Sequence, residues 1–276
     1  MSGVGLRGTD LRAVGVITGW GEGIAALPAD AVSAAAGRST LAIDRLPMPG
    51  ERFRRATREC RLGVAAVQAM LDAAGMARED IAGTGSALLY ATAAGYGASN
   101  RAFIEAAATG SALHFPYTAP SAVPAEVAIE FGLTGAYVIF TGGATTTLEA
   151  LAHAAGLLRR GECERALILA VETFRECEDL HARGRWLLRR PLVESAACAL
   201  LTAGAGRLSI ADGPRPADLG ADARRRAGET LACAPLIALA LGLESGDDHL
   251  CVTGEWRGRR LALEWSRSAA PCLRRS

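Results

Sequence analysis

The stretch from Gly135 to Gly161 is where chemistry would be sought first. A strand pattern, Tyr137 to Thr141, meets Gly142 and Gly143 and then runs into a long helical pattern. A sharp strand-to-helix turn places the first helical residue at the positive end of the helix, where the dipole and free backbone N–H groups activate a nucleophile. Here that residue is Ala144, and its methyl group cannot act as a nucleophile. Thr145, Thr146 and Thr147 bring hydroxyls, but no His or Asp is assigned nearby as their base. Taken alone, the turn also reads as a tight connection with Thr145 as N-cap.

Other reactive side chains are dispersed. His114, His181 and His249 are spread among loops and strand ends, and His153 lies well inside the helix, as a packed or interface imidazole. Cys60, Cys163, Cys177, Cys198, Cys233, Cys251 and Cys272 form no CxxC pair and no recurring spacing, which favours reduced thiols over a disulfide framework or zinc site. Cys163 and Cys198 read as small buried hydrophobes. Glu172 and Glu194 are either an acid pair or structural turn residues. No cofactor or metal motif is present.

All thirty cations are Arg, balanced by 29 acids to a net charge of +1, which gives no support to nucleic-acid binding. Three Arg groups, Arg52-Arg54-Arg55-Arg58, Arg183-Arg185-Arg189-Arg190 and Arg224-Arg225-Arg226, read as solvated faces. If one is functional, an acidic protein surface is its natural target. With 276 residues, 50% of them hydrophobic, the chain can bury one substantial core or two small fused ones. Its longest apolar run, around Leu231 to Leu241, falls short of the roughly 18 residues of a bilayer span. The N-terminus shows no secretory pattern, so a soluble, cytoplasmic protein is expected.

The elements needed to position these residues alternate between strand and helix. Strands are expected at Leu11 to Thr18, Ser86 to Thr92, Tyr137 to Thr141 and Ala166 to Val171, the last a continuous apolar run that implies cover on both faces. Helices are expected at Cys60 to Ala74, Ala102 to Ala108, Val123 to Phe131 and Thr145 to Arg160, with Gly75, Gly132 and Gly161 as stops. Residues 25 to 55 read as a Pro-punctuated loop with one short helix, and His114 to Pro120 as irregular. A helix through about Leu243 and strands at Leu250 to Thr253 and Arg260 to Trp265 complete an α/β protein with a central, mostly buried sheet.

Residues 135 to 161 resemble, without a gap, the nucleophile segment of β-ketoacyl-acyl-carrier-protein synthases, whose reactive cysteine falls on Ala144. Further resemblance lies in Gly161 to Glu172, in the approach marked by Pro116, Pro120 and Pro124, and in Val193 to Leu201. The likeness covers roughly residues 11 to 205 and implies a thiolase-like α/β fold, with Glu172 and Glu194 in structural turns. Beyond 205 the chain departs from the family, which carries two catalytic histidines there. Gly228 to Ala234 is similar to the second histidine loop with Glu229 in the histidine's place, and nothing resembles the first. Only Gly254 and Gly258 represent the closing Gly-rich loop. A complete half (1–205) and a reduced one (206–276) on the same core are therefore expected.

The resemblance implies that nucleophile and enolate-stabilising imidazoles are lost together. It points to a non-catalytic subunit, similar to a chain-length factor, that partners an active ketosynthase in type II fatty-acid or polyketide synthesis, with an acyl carrier protein as a further contact. Thiolase-like proteins pair through the strand before the nucleophile, so a dimer is expected, with Val138 and Phe140 at its interface. His114, Phe115 and Tyr117 would reach the partner's acyl tunnel, and Gly143, Thr145 and Thr146 would line a vestigial pocket. An acyltransferase or thioesterase with a relocated nucleophile, and a free-standing acyl-binding scaffold, remain open as alternatives.

Overall fold

The computed structural model describes residues 4–44, 46, 53, 56–107, 115–174, 189–212 and 218–267. The strands are β1 (Val4–Thr18), β2 (Gly21–Glu22), β3 (Thr40–Leu41), β4 (Ser86–Thr92), β5 (Tyr137–Thr141), β6 (Arg165–Glu172), β7 (Leu192–Val193), β8 (Ser195–Asp212), β9 (His249–Trp256) and β10 (Arg259–Ser266). The helices are α1 (Ala31–Ala35), α2 (Arg58–Ala74), α3 (Gly97–Ala107), α4 (Ala122–Phe131), α5 (Ala144–Arg160), α6 (Leu219–Ala227) and α7 (Ala234–Ser245). A mixed eight-stranded sheet has the main order β2-β1-β8-β6-β4-β5, with β10 and then β9 branching from β8, and a small parallel pair joins β3 to β7. The outcome is the mixed, layered α/β architecture expected.

Two long central strands organise the sheet. β1 lies antiparallel along one edge of β8. The other edge of β8 pairs with β6 over Ser195 to Thr202 and with β10 over Arg207 to Asp212, so the hairpin β9–β10 continues the sheet beyond the start of β6. The 205/206 boundary therefore falls inside one continuous strand. β4 and β6 are parallel, and β6 is buried from Ala166 onwards, as its continuous apolar run implies.

Alternation along the strands splits the core between the two faces. Leu88, Tyr90, Leu167, Leu169 and Val171 face α2 and α4, whose Leu62, Val67, Met70, Val123 and Val127 are buried against them. Ala87, Ala91, Ala166, Ala170, Ala197 and Ala199 join the opposite cluster, with α5 and α7. That second layer is rich in alanine on strands and helix alike, which lets α5 sit close to the sheet. Gly75, Gly132 and Gly161 close their helices in the left-handed conformation, as expected of them.

One helix runs against the sequence pattern. α6 buries only Gly220, Ala223 and Ala227, with Leu219 partly buried beside them, and most of its other side chains are charged, so no apolar stripe announces it. Asp218 starts it by accepting the Gly220 N–H. The Arg224-Arg225-Arg226 group is also less solvated than expected. Arg226 donates to the carbonyls of Ile24, Leu27 and Pro28, Arg225 to that of Ala29, and Arg224 lies 3.6 Å from Asp218. Among the described residues no helix is long and apolar enough to cross a membrane, and no cluster of His, Cys, Asp or Glu could hold a metal ion.

Candidate functional site

The end of β5 and the start of α5 form a tight elbow. Gly142 donates its N–H to the carbonyl of Thr92, which ties the turn to the end of β4. Gly143 is the N-cap residue, and its carbonyl accepts from Thr146 (3.0 Å) and Thr147 (3.3 Å). The helix thus begins at Ala144, one residue before the expected start, and Thr145 is its second residue and not a cap. The backbone accounts for the shift, because Gly143 supplies the capping carbonyl without a side chain.

Ala144 is 7% exposed and Thr145 is buried, while Thr146 is half-buried. The Thr147 hydroxyl is committed elsewhere, donating to the carbonyl of Ala232 at 2.7 Å. That bond joins α5 to the turn Leu231–Cys233, which follows Glu229. Glu229 is held in the same turn: its N–H donates to Pro191, its carbonyl accepts from Val193, and its carboxylate accepts the Leu231 N–H at 3.0 Å. The structure therefore brings the loop of Glu229 beside the elbow helix, with the Glu229 carboxylate engaged in its own backbone.

Behind the elbow lies Glu172, fully buried at the end of β6. It accepts N–H bonds from Ala93 (2.7 Å), Ala94 (2.9 Å) and Ala232 (3.3 Å), with the Thr92 hydroxyl at 3.4 Å. No cation is among these partners, and burial pushes its pKa up to about 8. Glu194 has different partners: Arg58 at 2.5 and 2.6 Å and the N–H of Ile43 at 2.7 Å. The two glutamates are thus bound to separate chain segments rather than to each other. Arg58, read from the sequence as part of a solvated face, is a partner of a buried acid.

The elbow has a cover that the sequence did not disclose. A methyl group on Gly143 would overlap the indole of Trp256, three of whose carbons would lie within 3.0 Å of it. A methyl group on Gly254 would sit 3.0 to 3.1 Å from the backbone and Cβ of Ala144. Both close approaches come from β9, where a glycine inside a strand is the available sign that another backbone comes near.

Several other expected residues also find their places. Phe115 is exposed and meets the Phe103 ring at a 58° tilt, with ring centres 5.6 Å apart, whereas Tyr117 packs against the α2–α4 core. Val138 is half-buried, and Phe140 meets the exposed ring of His153 edge-on at 5.9 Å. Burial raises the pKa of Cys60 to about 12 and pushes Cys198 and Cys233 higher still, so these thiols are inert packing groups. His114, Cys177, His181 and Cys272 lie outside the described residues, with Arg52, Arg54, Arg55, Arg183 and Arg185.

Comparison with known proteins agrees with this geometry. The family described as "Beta-ketoacyl synthase, N-terminal domain" matches residues 47–197, more than half of the chain. No curated protein matches. Among solved structures, the chain is similar to the AntDE:AntF complex, a type II polyketide acyl-carrier protein with its ketosynthase bound to the hexaketide. The TM-score is 0.72 at 14% identity, covering 94% of this chain and 99% of that one. It is also similar to the ishigamide ketosynthase/chain length factor (0.69, 15%, covering 95% and 99%). The ketosynthase ApeO with its chain length factor ApeC from Xenorhabdus doucetiae is a third (0.63, 17%, covering 94% and 99%). At these identities the structures establish a thiolase-like ketosynthase fold, and the family match establishes that the chain belongs to the β-ketoacyl synthases.

Proposed function

We propose that this protein is a non-catalytic ketosynthase-like subunit, similar in role to a chain-length factor, that pairs with an active ketosynthase in type II fatty-acid or polyketide synthesis. The observation that carries the reading is Ala144: the strand-to-helix elbow is built, capped and buried, yet its first helical residue has no nucleophilic atom. Glu229 adds to it, since a carboxylate in place of an imidazole would repel a developing enolate instead of stabilising it. Residues 206–276 are read as the reduced second half of the family's duplicated fold.

Pairing is supported by β5. Among the described residues it ends the sheet, hydrogen-bonded to β4 on one side only. Its side chains are half-buried or exposed, with Tyr137 60% exposed. An unpaired edge with bulky apolar side chains is a template for another chain. Relatives of the fold that are solved as ketosynthase with chain length factor give the partner its class. An acyl carrier protein is the further contact in this reading.

Co-expression with candidate type II ketosynthases, followed by co-purification and light scattering, tests the proposal. The expected result is a stable heterodimer that Val138→Asp disrupts while circular dichroism stays native. A protein that remains a stable monomer in the presence of those synthases would overturn it and favour a free-standing acyl-binding scaffold. Intact-mass spectrometry after incubation with acyl thioester should show no adduct. A stoichiometric adduct on Thr145 or a cysteine would instead identify an acyltransferase or thioesterase.

A further inference from the structure

The geometry points to Trp256 as a residue that closes the elbow to acyl thioesters, separately from the missing nucleophile. The inference rests on reading position 144 as the degenerate nucleophile site. Approach to that position is governed by β9, whose Gly254 lies against the backbone of Ala144 and whose Trp256 covers Gly143 with the carbocyclic part of its ring. The indole is itself half-buried.

This cover is held by more than a side-chain rotamer. β9 pairs with β10 over all eight residues, and β10 is hydrogen-bonded to the central strand β8. At the hairpin tip Arg259 forms an ion pair with Glu149 of α5, and the Arg257 guanidinium stands 5.7 Å from the centre of the Trp256 ring. Three clefts of about 450, 400 and 170 Å³ in the described surface are lined by other segments and include no residue of the elbow or of β9. The hairpin that carries the indole is thus anchored both to the sheet and to α5, which makes access to residue 144 an opening reaction. A thioester carbonyl, which must come within bonding distance of the first helical residue, is excluded by shape even where that residue carries a thiol.

The test installs the thiol and then removes the cover. Ala144→Cys alone and Ala144→Cys combined with Trp256→Ala are treated with N-ethylmaleimide and with the smaller methyl methanethiosulfonate. Labelling at position 144 is followed by peptide-mapped mass spectrometry. We expect maleimide labelling to rise by about tenfold or more when the indole is removed, with a smaller rise for the small reagent, as an opening-limited site requires. Equal rates with and without Trp256 would overturn the inference. If the double variant loses its native circular dichroism, the single variant decides alone. Its small-to-large reagent rate ratio should then exceed that of glutathione by about tenfold, and a ratio equal to glutathione's would overturn the proposal. Either negative result leaves the partner-subunit reading intact, because that reading is tested by co-purification and not by access to residue 144.

Discussion

Glu172 and Glu194 lie at adjacent strand ends, where Glu172 is in register with Ser195, yet the fold satisfies them in opposite ways. Glu172 is surrounded by backbone N–H groups and a hydroxyl, without a cation, and it ties the segment after β4 to the turn after Glu229. Glu194 meets the Arg58 guanidinium and ties the start of α2 to Ile43. That same hydrogen bond raises the pKa of Arg58. Partial backbone charges fix a carboxyl in place but do not compensate the desolvation of a full negative charge, whereas a guanidinium in fork geometry supplies the opposite charge outright. Two carboxyls close in the sheet thus serve two structural attachments, and the acid-pair alternative has no geometry to support it.

The largest break of this comparison is Glu172→Ala. It removes the acceptor of three N–H groups in a dry interior, and at roughly 1 to 3 kcal/mol for each unsatisfied group the loss should reach about 4 kcal/mol. Urea denaturation followed by circular dichroism measures it. A loss below about 1 kcal/mol would mean that the three donors find new partners.

Next in size is the pH dependence. The folded pKa of Glu172 lies near 8, against 4.5 as its ordinary value, so between these limits the native state binds more protons than the unfolded chain. Its contribution to stability is fully present below about 4.5 and is lost as pH rises through about 8, a change on the order of a few kcal/mol. The difference in unfolding free energy between the wild type and Glu172→Gln, measured from pH 5 to 8.5, should carry this slope. Arg58→Ala should retain it. A wild-type slope indistinguishable from that of Glu172→Gln would show that Glu172 does not titrate in this window.

Smallest is Arg58→Ala itself. It leaves Glu194 with the Ile43 N–H but without its counter-charge. Because the Arg58 side chain is 29% exposed, water replaces part of the lost interaction and the expected cost is about 2 kcal/mol. Combining it with Glu194→Gln should be less costly than the sum of the two single changes, and strict additivity would contradict the pairing.

Much of the frame was legible in the residues. β4 and β5 begin and end where short apolar, β-prone runs and the Gly-Gly turn place them, and α2 and α5 stop at the glycines that mark their ends. These signals are local: strand period, helical period and a residue free to adopt positive φ. α6 escaped because its buried residues are only glycine and alanine, and the two-residue β2, β3 and β7 are too short to carry a pattern.

That position 144, after the Gly-Gly turn, carries only a methyl group was determined by the sequence alone, since a chemical group is either encoded there or absent. So were the dispersed thiols, the lack of a membrane-length apolar run and the charge balance. Only the tertiary structure decided that Arg58 pairs with Glu194, that Glu172 is left without a cation, and that Trp256 rests on Gly143. Each of these facts joins residues far apart in the chain. Their proximity follows from the register of β1, β8 and β10 and from the alanine-rich layer that lets α5 approach the sheet, and no local period of the sequence records either.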